Sequence, residues 1–149
     1  MSRHGYTDYD DDDNANWRHI MWRGRVTSAM RGKRGQAFFR DMIAALDAMP
    51  VKELHPINVA GDCVCAMGAL AKHRGADVSA AQAELEDEGG DHEWATALVG
   101  DRLGIAEALA LETAYVNDEG AWDETPAQRW TRMRRWAERH IRASEQNGA

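Results

Sequence analysis

Arg31-Gly32-Lys33-Arg34-Gly35 puts three cations and two glycines between two stretches of helical apolar periodicity, a combination suited to holding phosphate. Glycine allows close backbone approach, and a helix beginning near Gly35 would turn its first free N–H groups and its positive dipole end into the bend. Lys33, Arg34 and the amides near Gly35 are therefore the candidate phosphate ligands, with Arg23 and Arg31 adding field. The segment is neither GxxxxGK[ST] nor GxGxxG after a strand, so neither nucleotide-binding loop is present. An ordinary basic turn is the competing reading.

Other groups could do chemistry. Four of the six tryptophans adjoin an arginine, at Trp17-Arg18, Trp22-Arg23, Arg129-Trp130 and Arg135-Trp136, and an indole beside a guanidinium can stack a base. Trp22 and Trp136, with Arg135, are the preferred stacking group, against the alternative that they are core. Cys63 and Cys65 with His55 or His73 invite a metal, but cysteines two apart on a helix diverge and no second pair exists. Small apolar thiols are the simpler reading, and no metal or cofactor is expected. No spacing links either cysteine to a histidine and a carboxylate for nucleophilic catalysis. Asp91-His92-Glu93 and Asn117-Asp118-Glu119 could hold a cation or exchange protons, or be a helix start and a solvated turn. Binding rather than catalysis is the expected mode.

These residues need a scaffold, and 149 residues at 44% hydrophobic suit one domain with one core. The two cysteines are too close for a useful disulfide, which suggests a reducing, cytoplasmic setting. No signal-like segment or membrane-length apolar run is visible. The net charge of −7 is segregated. Residues 18–40 carry seven Lys or Arg and no acid, residues 77–124 carry fourteen acids against Arg102, and residues 129–142 carry six arginines against Glu138. Either the basic helices pack on the acidic middle, in the same chain or a second copy, or a basic face is left for an anion. Self-complementary packing makes a homo-oligomer the expectation.

Periodicity predicts an all-α or mainly α, compact single-domain bundle over 14–142, between disordered tails at 1–13 and 143–149. Helices are expected over about 17–30 and 35–49, with Pro50 as a stop. Residues 51–59 read as an irregular or edge-strand segment, since Pro56 cannot serve a central strand. Further helices are expected from Cys63 to Arg74 with Asp62 as cap and Gly75 as stop, from Ser79 with Gln82 as capping partner, from Asp91 to about Val99, and over 105–116. Thr125, Pro126 and Gln128 mark the last helix, whose apolar side is Trp130, Met133, Trp136, Ala137 and Ile141.

Several segments together resemble a family of small accessory proteins encoded by tailed bacteriophages and prophages. They are Trp22-Arg23-Gly24, Ser28 through Phe38, Ala44 through Pro50, Cys65 through Ala69, Gly104-Ile105-Ala106, Asn117-Asp118-Glu119, and Thr125-Pro126 with Arg129-Trp130 through Trp136, in that order. The match spans most of residues 17–140 and carries no activity with it. It implies a phage origin, and small phage accessory proteins often antagonise host defence by binding. Three expectations follow: sequestration of a phosphorylated, nucleotide-type ligand; an acidic inhibitor, with 77–124 imitating nucleic acid toward a host defence protein; and direct nucleic-acid binding through the first and last helices.

Overall fold

The computed structural model describes residues 13–56, 65–120 and 123–142. These form seven helices, α1 Asp13–Arg31, α2 Lys33–Ala48, α3 Ala66–Arg74, α4 Ser79–Glu86, α5 His92–Leu103, α6 Glu107–Asp118 and α7 Pro126–His140, and the described residues hold no strand. The expected all-α bundle is what the chain forms. The tails lie outside the described residues, except that α1 starts at Asp13. Asp62 and Cys63 lie outside them too.

The main core joins α2, α3, α4, α5, α6 and α7. Phe38, Phe39, Met42 and Leu46 line one side of α2, at helical spacing, and share one buried cluster with Met67 and Leu70 of α3, Leu109 of α6 and Met133 of α7. Phe39 meets Phe38 and Trp136 edge-on, and His140 lies over it at 5.4 Å. At the α5–α6 crossing a Cβ on Gly100 would overlap the methyl of Ala110, so the smallest residue sets that approach. The α1 helix is held by a satellite cluster, in which Trp22 and Val26 pack on Ala108 and Leu111 of α6. Its outer half leaves Trp17, Ile20 and Met21 exposed.

Ends follow capping chemistry, with corrections. Thr125 and Gln128 make the reciprocal capping box of α7, and Asp91 caps α5 by accepting from the Trp94 amide. The α5 helix runs past Val99 to Leu103 before Gly104 ends it in the left-handed conformation. The α3 helix starts at Ala66, with the Cys65 sulfur accepting from the Gly68 amide, so Cys65 is a cap and not a helical residue. Ser79 is not a cap: it is the first residue of α4, held by Asp77, whose carboxylate accepts from its amide and hydroxyl, while Gln82 bonds Glu86. The described part of 51–59 is irregular and docks through the Leu54 amide, which donates to the Pro126 carbonyl at 2.9 Å.

Candidate anion-binding clefts at the helical bend

One residue separates α1 from α2. Gly32 is extended (φ −71°, ψ 169°), its amide closes α1 on the Ser28 carbonyl, and α2 starts at Lys33 rather than Gly35. Lys33 and Arg34 therefore occupy the first turn of α2, which contains no acid and whose cap contributes no side-chain hydrogen bond. Cations at the positive end of a helix dipole are locally unfavourable, by a few tenths of a kcal/mol each at an exposed site. A bound anion would relieve both charges.

Gly35 has a different role from the expected one. It is buried, and a Cβ there would fall on the Ala29 carbonyl oxygen and crowd that of Met30, so its smallness serves helix packing. The carbonyl end of α1 thus lies against the amide end of α2 and partly cancels its dipole.

A cleft of about 660 Å³ opens here. Arg25 and Ser28 of α1, Gly32, Lys33 and Arg34 of the bend, and Ala106 and Glu107 at the start of α6 line it. Arg34 is anchored by donating to the Gly104 carbonyl at 3.3 Å. Three cations against the single carboxylate of Glu107 leave the lining with a charge of +2, in a space the size of a small-ligand pocket. Arg25 was not singled out from the sequence. Its signal was membership of the acid-free run, three residues before Ser28.

Arg23 and Arg31 do not join this cleft. They face a second one on the other flank of α1, about 690 Å³, with Arg139 and Arg142 of the α7 end and the carboxylates of Glu112 and Glu119. Arg23 stands 3.8 Å from Glu112, and Arg142 donates to the Arg31 carbonyl at 3.4 Å.

Of the expected stacking group, Trp22 lines the first cleft and Trp136 the second, but both are buried, at 3% and 5% exposure. Among the described residues the exposed indoles are Trp17, at 61%, and Trp94. Arg135 lines neither cleft and is exposed in another groove, with Ala127 and Thr131, that shares Arg139 with the second cleft. Trp130 is fastened by donating to the Leu46 carbonyl at 3.1 Å.

Half of the basic C-terminal run is structural. Arg129 and Arg132 reach Glu124 at 3.3 and 2.7 Å, and both donate to the Asn117 carbonyl. Arg134 bridges Asp47 at 2.8 Å and also meets Glu138; the guanidinium holds the Asp47 carboxyl below its usual range. Asn117, expected in a solvated turn, is buried at the end of α6, accepting from the Ala66 amide and donating to the His55 carbonyl. Burial raises the Cys65 thiol above its ordinary pKa, the condition of an unreactive cysteine. Among the described residues no three of His, Cys, Asp and Glu group as metal ligands.

Sequence reasoning missed Gln36. It is 1% exposed; its amide nitrogen donates to the Met30 carbonyl at 2.8 Å and the His140 carbonyl at 3.0 Å, and its oxygen accepts from the Arg142 amide at 2.9 Å. This one side chain ties the ends of α1 and α7 to the start of α2, and so fixes Arg31 and Arg142 relative to the bend. No helix is long and apolar enough to cross a membrane among the described residues. No family model, curated protein or solved structure matches the chain.

Proposed function

We propose that this protein is a non-catalytic binder of a phosphorylated, nucleotide-type ligand, held in the cleft at the α1–α2 bend. One observation carries the reading. Lys33 and Arg34 open α2 at its positive end, without an acid or a side-chain cap, beside Arg25 and over a cavity large enough for a nucleotide. Natural helices place acids in that position, and departures from such local rules concentrate at functional sites. Lys33, Arg34 and Arg25 take the phosphate, and the Ser28 hydroxyl adds a neutral donor. The base is not stacked on Trp22. Joined to the resemblance to phage accessory proteins, the reading assigns the protein to sequestering such a ligand from a host defence.

Titration calorimetry of the full chain against mononucleotides, cyclic dinucleotides and pyrophosphate tests it, with Lys33→Ala/Arg34→Ala as the comparison. Heat abolished by the double substitution supports the cleft; heat that it leaves unchanged rejects it.

A second reading rests on the acidic face. Glu86, Asp87, Glu88, Asp91, Glu93 and Asp101 are exposed on and between α4 and α5, against the one cation Arg102. Such a surface suits a basic protein partner. A salt-sensitive complex in pull-downs, lost on neutralising Glu86, Asp87 and Glu88, would favour it.

A further inference from the structure

The two clefts flanking α1 are joined over its exposed side. Arg23, Gly24, Thr27, Ser28, Arg31 and Gly32 form a shallow groove along that side, all exposed and without a carboxylate. Ser28 and Gly32 belong also to the first cleft, and Arg23, Thr27 and Arg31 to the second. Cations thus run from Lys33 and Arg34, across Arg31 and Arg23, to Arg139 and Arg142, where four arginines face the two carboxylates of Glu112 and Glu119.

We infer that the ligand is a single-stranded oligonucleotide whose backbone crosses α1, with phosphates in both clefts. This rests on the phosphate-binding reading of the first cleft and extends it. Each cleft has the volume of a small-ligand site, so each accepts about one nucleotide. Arg23 and Arg31 lie eight residues apart, about 12 Å along the helix, which one phosphate cannot span. The path requires a flexible chain: it bends over a helix about 10 Å across, whereas duplex DNA is stiff over about 50 nm. Burial of Trp22 and Trp136 leaves no indole face in either cleft, so recognition is by backbone charge and independent of sequence. Gly24, with open space where a Cβ would stand, lets the backbone lie close to α1.

The test is fluorescence anisotropy of the full chain with labelled oligothymidylates of one to eight nucleotides and a matched duplex. Three variants serve: Lys33→Ala/Arg34→Ala in the first cleft, Arg31→Ala/Arg139→Ala in the second, and Gly24→Asp on the crossing. None removes a side-chain hydrogen bond within the core, and thermal melting confirms that each is folded. Affinity should rise at least tenfold between the mononucleotide and the longer strands. It should fall at least tenfold with either cationic pair and with Gly24→Asp. The salt slope should be about −1.4 or steeper for two or more phosphates, and should flatten by about 0.7 for each phosphate that a variant no longer neutralises. The mononucleotide should lose affinity with Lys33→Ala/Arg34→Ala and should respond less to Gly24→Asp than the longer strands do. If the mononucleotide binds and loses affinity with that pair, but longer strands gain nothing and ignore Arg31→Ala/Arg139→Ala, the crossing is overturned and the first cleft stands. A duplex binding as tightly as the strand overturns the single-stranded assignment, and no binding by any of these overturns both readings.

Discussion

Replacing Gln36 with leucine should destabilise the fold by about 2 kcal/mol. The side chain makes three hydrogen bonds, at 2.8, 3.0 and 2.9 Å, each worth about 0.5–1.5 kcal/mol net. At face value their loss costs between about 1.5 and 4.5 kcal/mol. Two terms pull the figure to the lower half: leucine buries more apolar surface in a similar volume, and the Met30 and His140 carbonyls accept these bonds in part-buried settings, where solvent would replace some of the lost bonding. In a chain of this length the effect lowers Tm by about 4–8 °C, which urea denaturation and calorimetry measure directly. Gln36→Glu separates donors from packing. It keeps an acceptor for the Arg142 amide but turns a carboxylate toward two carbonyl oxygens, so it should be worse than leucine at neutral pH. That environment favours the protonated acid and raises its pKa in the folded protein above the ordinary value of about 4.3. The extra penalty, taken relative to wild type at each pH, is then full well above the raised folded value and fades as pH falls through it. A Gln36→Leu change below 0.5 kcal/mol, or a glutamate variant as stable as leucine at pH 7, would refute the claim that this amide fastens the three helix ends.

Glu124 holds two arginines at 9% side-chain exposure, and Arg129 is buried as deeply. Glu124→Ala strands a buried guanidinium and should cost about 3 kcal/mol by urea denaturation. Asp47 gives the opposite case: its carboxyl is held low by Arg134, but the pair lies at the surface, with side chains 48% and 31% exposed. Its contribution, below about 1 kcal/mol, is present above the unfolded pKa and lost as pH falls through the folded one, so Asp47→Asn should remove a small part of the stability slope below about pH 4. In a Cys63→Ser background, Cys65 should react with iodoacetamide more slowly folded than in urea at pH 8, because burial keeps it protonated. Equal rates would contradict that. Gly35→Ala should destabilise by about 1–3 kcal/mol despite alanine's better helix propensity, since the methyl meets the Ala29 carbonyl. A stabilised variant, read by thermal melting, would show that the bend has room. Native mass spectrometry measures the subunit number; a lone monomer at micromolar concentration would remove the expected oligomer.

Helix positions were legible because apolar spacing and capping residues are local signals. The capping box at Thr125 and Gln128 and the stops at Pro50 and Gly75 need no knowledge of the rest of the chain. Errors arose where a competing neighbour or a distant surface decides. Ser79 has a good capping sequence, but Asp77 lies two residues upstream and takes its amide and hydroxyl. Trp22 and Trp136 differ little in local pattern from Trp17, which is exposed; their burial follows from what α6 and α2 present to them.

The sequence by itself determined the all-α architecture, the segregation of charge, and the presence of a basic bend between the first two helices. Those are properties of composition and period, readable within a dozen residues. Tertiary structure alone decided which charges are spent: Arg129, Arg132 and Arg134 on Glu124 and Asp47, with Lys33, Arg34 and Arg25 left around a cleft. It also placed Arg23 and Arg31 on the far flank of α1 and gave Gly35 to packing. Ion pairing and burial depend on which surfaces long-range folding brings within a few ångströms, and charge spacing along a chain carries no record of that distance.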